Sequence, residues 1–405
     1  MTGLADPIRT LVLSLEYPSR ASYYHDWRDA FRASRQLAVT LVNIFHARSR
    51  RRLERLVREH DLIVVLHDCT ADSLLYIDPL VPVLTRRRGR LLSFVGNELN
   101  LPWAPIQAKI NWLKAVGADY IATQLLPEAG EWLYRDVGAR VLGVPHALNP
   151  QAFSPGPSQV DRSIDIGARS FRYLPYLGDN DRNRIFDFFS SHPFDPPLSI
   201  DMSTEHRFDR DGWSRFLKSC KATIATEAGS WYLQRDDATV LAIRDFLRTK
   251  NGGGGIVIAA DSPLRRLAHR LPYRVKAAIR PLLRRGAVRH ELFLAEDADY
   301  DDVHGRFFVG RPPCPAYSKC ISSRHFDAIG SKTLQIMFPG RYNDILEAGA
   351  HYLALAPDFS NLDDVMRAFH DPGVRQSMVD DAWEMVMDRH TYAHRLRDMI
   401  GQLSL

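Results

Sequence analysis

The first 150 residues alternate between short apolar runs and longer amphipathic segments, and this alternation restricts the fold to very few classes. The apolar runs predict buried β-strands, and the segments between them predict helices, such as Ile106–Val116 and Glu128–Val137. Strands that alternate with helices pair in parallel and are covered by helices on both faces of the sheet. The predicted strands are Ile8–Leu15, Val39–Ile44, Asp61–Leu66, Arg90–Val95, Tyr120–Thr123 and Arg140–Val144.

A cluster of proline, glycine and serine at residues 154–158 ends this pattern, because such a segment continues neither a helix nor a sheet. A chain of 405 residues also exceeds one typical hydrophobic core, which predicts two domains of about 150–200 residues. We predict α/β domains over residues 1–150 and 151–375, with helices over residues 376–405 that pack across the boundary. The predicted fold class is α/β, with two doubly wound Rossmann-like domains facing each other across a cleft.

The segment 322–355 predicts helix, strand, helix and strand in succession within the second domain. Ser322 and Ser323 open the first helix, Asp327 follows within its first two turns, and Gly330 ends it. The backbone amides at a helix start favour an anion, and a carboxylate one turn later can accept hydrogen bonds from two sugar hydroxyls. This combination suits a nucleoside diphosphate with its ribose. An ordinary capped helix is the alternative interpretation.

Three motifs follow one another along the chain: Val144–Pro155 (VPHALNPQAFSP), Arg324–Gly330 (RHFDAIG) and His390–Arg395 (HTYAHR). In this order they resemble group 1 (family 4-like) glycosyltransferases, and particularly the branch related to spore-maturation glycosyltransferases. The resemblance implies a GT-B fold and transfer of a sugar from a nucleotide-sugar donor to an acceptor hydroxyl, without a metal or other cofactor. This family usually has Glu where Asp327 stands, and its pair of glutamates eight positions apart would place the first at Lys319.

The same resemblance implies that the second domain binds the donor and that the first domain binds the acceptor. A cation in the first loop of the second domain would hold the donor diphosphate, and Arg169 and Arg172 are the candidates there. The alternative is that both are solvated arginines of a basic protein. The predicted donor-binding residues are Arg169, Arg172, Ser322, Ser323, Arg324 and Asp327.

Three further residues are predicted to be catalytic. His67 and Glu98 follow predicted strands, where ligands of parallel sheets bind, so either could position or deprotonate an acceptor hydroxyl. Glu227 follows a strand-like run beside a Gly-Ser turn, where a carboxylate would stabilise positive charge at the anomeric carbon. The alternative for His67 and Glu98 is a loop residue that bonds backbone amides, and for Glu227 a turn acid or an ion-pair partner.

The segment 263–290 carries nine of the 53 Lys and Arg residues and no acid, so the rest of the chain has 53 − 9 = 44 cations against 48 anions. We predict that this basic segment forms a helix on an anionic membrane surface and brings the cleft to a lipid-linked acceptor. A solvated basic helix docked on the protein is the alternative. Nucleic acid is the least favoured partner, because Tyr273 is the sole aromatic residue interleaved with the cations.

The sequence therefore predicts a metal-independent, hexosyl-type glycosyltransferase that acts on a glycan or lipid-linked acceptor in cell-surface polysaccharide synthesis. Two alternatives are a non-catalytic protein that binds nucleotide sugars or glycans, and an epimerase-like enzyme acting on a nucleotide sugar. No apolar run approaches the roughly 20 residues that a bilayer requires, and the four cysteines lack the spacing of a zinc site or a disulfide framework. We predict a cytoplasmic protein, peripheral on the inner face of the cytoplasmic membrane.

Overall fold

The computed structural model describes residues 6–16, 23–205, 208–251, 256–258, 270, 271, 275 and 288–404. Two parallel β-sheets dominate it, with helices on both faces of each. The predicted fold class, two doubly wound α/β halves, is thereby confirmed.

The first sheet has six parallel strands in the order β2-β1-β3-β4-β5-β6. The order reverses direction between β1 and β3, which makes the sheet doubly wound. All six strands were predicted from the sequence, with bounds that differ by at most two residues at either end. The strands are β1 Ile8–Ser14, β2 Leu37–Asn43, β3 Leu62–Val65, β4 Arg90–Phe94, β5 Tyr120–Thr123 and β6 Arg140–Gly143. The helices are α1 Tyr23–Ala33, α2 Ala47–Arg51, α3 Leu53–Glu59, α4 Val81–Leu84, α5 Ile106–Val116 and α6 Pro127–Tyr134.

The second sheet has five parallel strands in the order β15-β14-β9-β7-β8. The strands of this sheet are β7 Ile164–Arg169, β8 Ile200–Ser203, β9 Cys220–Ala225, β14 Leu334–Met337 and β15 Leu353–Ala354. Two small sheets pair β10 with β13 and β11 with β12. The strands of the small sheets are β10 Ala228–Gly229, β11 Ile256–Ile258, β12 Val288–His290 and β13 Lys319–Cys320. The helices are α7 Asp181–Ser191, α8 Arg210–Ser219, α9 Ala238–Asn251, α10 Glu291–Glu296, α11 Tyr300–Phe307, α12 Ser323–Gly330, α13 Tyr342–Ile345, α14 Leu362–His370, α15 Pro372–Arg389 and α16 Tyr392–Gly401.

The last helix, α16, belongs in space to the first sheet although it follows the second in sequence. Leu396 and Ile400 of α16 share a hydrophobic cluster with Trp27 and Phe31 of α1. The chain crosses between the halves at Leu148, whose backbone amide donates to the carbonyl of His390 at 2.9 Å. Burial of apolar side chains on α16 therefore fixes the second half against the first.

The side chain of His67 lies in an aromatic cluster inside the first half. Its ring stacks on His146 at 5.5 Å and contacts Phe94 at 4.6 Å between centroids. The residue is fully buried, and neither ring nitrogen has a hydrogen-bond partner among the described residues. Burial, with a smaller contribution from His146, lowers the pKa of His67 well below 6.5. A ring that is enclosed and uncharged in this way gives no support to the predicted role as an acceptor base.

This burial predicts the pH dependence of stability. The unfolded chain takes up a proton at His67 below about pH 6.5, but the folded protein does so only at much lower pH, so acid favours unfolding. We expect the free energy of unfolding to fall below pH 6.5 by up to about 1.4 kcal/mol per pH unit for each buried histidine. Urea unfolding of a His67→Phe variant between pH 8 and 5 should show a shallower decline than the parent. Parallel pH profiles of the two proteins would contradict this prediction.

Candidate active site

A cleft lies where β7 and β9 end and α12 begins, which is the edge of a parallel sheet that ligands usually occupy. The cleft is partly open to solvent. Ile185 and Phe186 of α7 and Trp213 of α8 form apolar walls. The charged and polar side chains that line it include Arg169, Ser170, Arg182, Ser322, Arg324 and Gln335.

Two arginines come together in this cleft from separate elements. Arg182 projects from the first turn of α7, with its guanidinium 3.9 Å from the centroid of the Tyr173 ring. Arg324 projects from the first turn of α12 and donates a hydrogen bond to the hydroxyl of Ser170 at 3.0 Å. No carboxylate of the described residues lies within 4.0 Å of the Arg182 guanidinium. Two guanidinium groups beside a helix start provide donors suited to a diphosphate.

The start of α12 agrees with the prediction in detail. Ser322 is the N-cap, and its backbone amide donates to Nδ1 of His325 at 3.0 Å in a capping box. Burial lowers the pKa of His325 to about 3, so its ring remains a neutral acceptor. The cap therefore holds Ser322 and Arg324 at the cleft, and Ser323 follows the cap as the first helical residue.

Arg169 lines the cleft as predicted, but its charge is already paired. One of its terminal nitrogens donates to the carboxylate of Asp201 at 2.8 Å, and the guanidinium stacks 4.2 Å from the ring centroid of Phe216. Arg172 is outside the set of residues that line the cleft and forms a half-exposed ion pair with Asp187. Neither geometry supports the predicted contact with the donor diphosphate. Arg182 was missed, because a helical arginine two residues after an ordinary turn gives no distinctive signal in one sequence.

Asp327 lies behind the cleft wall rather than in it. Its carboxyl group is 7 % exposed and accepts a hydrogen bond from the indole of Trp213 at 3.0 Å. Burial, together with the nearby carboxyl group of Asp26, raises the pKa of Asp327 well above its usual range. Asp26 belongs to α1 of the first half and accepts hydrogen bonds from Asn149 and Arg210. Two buried carboxyl groups, one from each half, thus interact electrostatically, and the ribose contact of Asp327 stays a prediction.

Glu227 follows directly after Thr226, which lines the cleft, but its own carboxylate points into protein. It accepts hydrogen bonds from the backbone amide of Tyr342 at 2.7 Å and from the hydroxyl of Tyr317. Gly340 lies against it so closely that a Cβ there would be 2.3 Å from Oε2. Burial raises the pKa of Glu227. The geometry supports a structural role at this position, and the predicted contact with the sugar is untested.

Glu98 is enclosed in the same manner within the first half. Its carboxylate accepts hydrogen bonds from the hydroxyls of Thr123 and Tyr134, at 2.6 and 2.7 Å. It also accepts one from the backbone amide of Gln124 at 2.9 Å. Only 6 % of Glu98 is exposed, and burial raises its pKa. Its three donors are internal to the first half, so this geometry gives no support to the predicted role in deprotonating an acceptor.

Lys319 occupies the position at which the resembled family carries a glutamate. Its ammonium lies 2.7 Å from Asp179 and 2.6 Å from Asp181, and 4.6 Å from the ring centroid of Trp231. Burial opposes its charge, but the two carboxylates outweigh burial and raise the pKa of Lys319. This buried ion cluster ties β13 to the start of α7, the helix that carries Arg182. The lysine therefore positions one wall of the cleft.

Comparison with known proteins gives independent support to this reading of the fold. Residues 306–401 match the family model described as glycosyl transferase-like. An α-glucosyltransferase in complex with UDP-glucose and DNA containing an abasic site matches with a TM-score of 0.53 and 8% identity, covering 99% of this chain and 100% of that chain. The Anabaena protein HepE in complex with UDP-glucose matches with a TM-score of 0.50 and 9% identity, covering 98% of this chain and 100% of that one.

The fold is GT-B. At such low identities these GT-B structures establish the architecture and nothing finer. A second complex of α-glucosyltransferase, with UDP and a DNA 13-mer containing an HMU base, matches at a TM-score of 0.53 and 9% identity over 98% of both chains. No significant match exists among curated proteins. None of these matches distinguishes the spore-maturation branch, which stays a prediction.

Two findings concern possible partners. Among the residues that the structure describes, no helix is both long and apolar enough to cross a membrane. Within the same residues, no group of three or more His, Cys, Asp or Glu side chains could hold a metal ion. Most of the basic segment 263–290 lies outside the described residues. The predicted membrane helix is therefore untested.

Proposed function

We propose that the protein is a glycosyltransferase that moves a sugar from a nucleoside-diphosphate donor to an acceptor hydroxyl. The observation that carries the proposal is the convergence of Arg182, Arg324 and the start of α12 in one cleft at the strand ends. Guanidinium groups and helix-start amides stabilise the charge that grows on a departing diphosphate. The glycosyl transferase-like match over residues 306–401 includes α12 and so covers part of this cleft.

The proposal extends to transfer of a hexose without a metal ion, with the donor's charge balanced by arginines and amides. On the acceptor side it assigns no base. His67 and Glu98 are enclosed within the first half, and Asp26 at the boundary between the halves is equally buried, with its carboxylate accepting hydrogen bonds from Asn149 and Arg210.

Labelled sugar nucleotides, incubated with the protein and a membrane extract, test this proposal. Transfer of label to a lipid-linked or polymeric glycan is the expected result, and a variant with alanine at Arg182 and Arg324 is the matched control. Absence of binding to every nucleotide tested would contradict the proposal.

A second candidate is a protein that binds nucleotide sugars without turnover. It is favoured by one observation, the lysine at position 319 where the resembled family has a catalytic-site glutamate. Tight binding of a sugar nucleotide, with no transfer to any acceptor and no epimerised product, would support this candidate over the enzyme.

The basic segment extends the proposal to a membrane-bound acceptor and a cytoplasmic, peripheral location. Each Lys or Arg near an anionic surface contributes about 1 kcal/mol, so nine cations without an acid favour binding. We expect the protein to sediment with anionic liposomes at low salt and to be released as salt rises. A variant with glutamate at Arg280, Arg284 and Arg285 should lose this binding, and liposomes of neutral lipid should not bind the parent. Equal sedimentation of variant and parent would contradict the membrane role.

A further inference from the structure

Gln335 is a polar residue inside the otherwise apolar strand β14, and it lines the cleft. Only 1 % of it is exposed, and neither Nε2 nor Oε1 has a hydrogen-bond partner among the described residues. A buried amide without partners destabilises a folded protein, because it gives up its hydrogen bonds to water and gains none in return. Such a group at the wall of a binding cleft indicates a ligand that supplies the missing partners.

Arg169 contributes a third buried atom of the same kind. Its two terminal nitrogens donate to Asp201 and to backbone carbonyls, but its Nε has no partner among the described residues. Arg169 ends β7 and Gln335 lies on β14, and both strands pair with β9, which lies between them in the sheet. Both side chains line the same cleft. Together they present two donor nitrogens and one acceptor oxygen, namely Nε of Arg169 and Nε2 and Oε1 of Gln335.

We propose that Gln335 and the Nε–H of Arg169 form the subsite for the nucleobase of the donor, and that this base is a pyrimidine. The complement of two donors and one acceptor is a ring edge with two acceptors and one donor. Uracil has that edge in its two carbonyls and N3–H, and cytosine has it in O2, N3 and its amino group. An amide that can rotate by 180° about its last bond satisfies either base.

Purines leave a mismatch at the same three atoms. The corresponding edge of guanine has two donors and one acceptor, so one of its N–H groups would face a donor of the protein. Adenine offers one donor and one acceptor beside a C–H, so one of the three protein groups would stay without a partner. A site built to hydrogen-bond a ligand rejects an analogue that leaves buried groups unpaired.

This inference rests on the proposed function, since it concerns the base of the same donor. Calorimetric titrations with UDP, CDP, ADP and GDP test it directly. At least one pyrimidine nucleotide should bind about tenfold or more tightly than both purine nucleotides, because one unpaired buried group is enough for such a difference. The affinities for UDP and CDP then show which pyrimidine the subsite prefers. Equal affinity for all four nucleotides, or a preference for a purine, would overturn the inference but not the proposed function. Absence of any binding would overturn both.

A Gln335→Met variant tests whether Gln335 hydrogen-bonds the nucleobase or has only a structural role. Methionine has a similar length and no amide, so we expect pyrimidine nucleotides to bind about tenfold more weakly and purine nucleotides to bind as before. The melting temperature of the ligand-free variant should stay the same or rise, because an unpaired amide is no longer buried. If Gln335→Met does not fold, Gln335→Leu serves the same purpose.

Ser331→Ala is the matched control for this variant. The Oγ of Ser331 is also buried without a partner among the described residues, but it does not line the cleft. Its removal should leave the melting temperature unchanged or higher and the affinity for every nucleotide unchanged. A Gln335→Met variant with a lower melting temperature and an unchanged ratio of UDP to ADP affinity would show a structural glutamine and overturn the inference.

Discussion

Replacing Lys319 by methionine is expected to lower the free energy of unfolding by about 3–5 kcal/mol, the usual cost of breaking a buried ion pair from one side. The side chain of Lys319 is 4 % exposed, and its ammonium lies 2.7 Å from Asp179, whose side chain is 2 % exposed. Without the lysine, the carboxylate of Asp179 would be buried with no cation to compensate it. Urea unfolding of variant and parent at pH 7 measures the difference.

Two further variants test the physical reason for this loss. A protein with Lys319→Met and Asp179→Asn together should recover most of the lost stability, because the uncompensated charge is removed. Lys221→Met breaks a pair of similar length with Asp165, at 2.7 Å. The side chains of Lys221 and Asp165 are 25 % and 20 % exposed, so this pair is less deeply buried than the pair of Lys319 with Asp179. Its expected cost is about 1 kcal/mol or less. Equal losses for Lys319→Met and Lys221→Met would contradict this account of the cluster.

Replacing Arg182 and Arg324 together by alanine is expected to weaken the binding of a nucleoside diphosphate at least about a hundredfold. Each charge-assisted hydrogen bond to a phosphate contributes about 1.5–3 kcal/mol, and both arginines line the cleft. Calorimetric titration of the diphosphate gives the dissociation constants.

The same titration has two internal controls. The free nucleoside lacks phosphates, so the variant should bind it as the parent does. Arg172→Ala removes a guanidinium that is paired with Asp187 outside the cleft, so the affinity for the diphosphate should not change. An unchanged affinity in the double variant would remove both arginines from the donor site.

The sequence predicts the fold well because the signals that determine it are local. Each run such as Ile8–Leu15 or Arg90–Val95 is mostly apolar, and a strand covered on both faces of a sheet requires such a run. Proline and glycine near residue 155 mark the crossover for an equally local reason. C-terminal helices were predicted over residues 376–405, where the structure has most of α15 and the whole of α16, separated at His390.

The site was only partly predictable, because its chemistry depends on contacts between distant residues. Ser322 was found through the local pattern of a capped helix, and Arg324 through the resemblance of the motif Arg324–Gly330 to a known family. Arg169 also lies in the cleft, but its pairing with Asp201 of a neighbouring strand cannot be read from one sequence. The same holds for Lys319 and Asp179, which are 140 positions apart and meet only in the folded protein.

Buried carboxylates are the second reason why the observed site differs from the predicted one. Glu98 and Glu227 follow strands, as catalytic acids of α/β enzymes often do, and the sequence does not distinguish this from a structural position. Each is enclosed by hydroxyl and amide donors that come from other elements. Gln335 gave no signal, since one glutamine within an apolar strand is read as part of that strand.

A crystal structure of the protein with a bound pyrimidine nucleoside diphosphate tests the central claim most directly. We expect the phosphates within hydrogen-bond distance of Arg182 or Arg324 and the start of α12, and the base within hydrogen-bond distance of Gln335. A nucleotide bound elsewhere on the protein, with this cleft empty, would contradict the assignment of the cleft as the donor site.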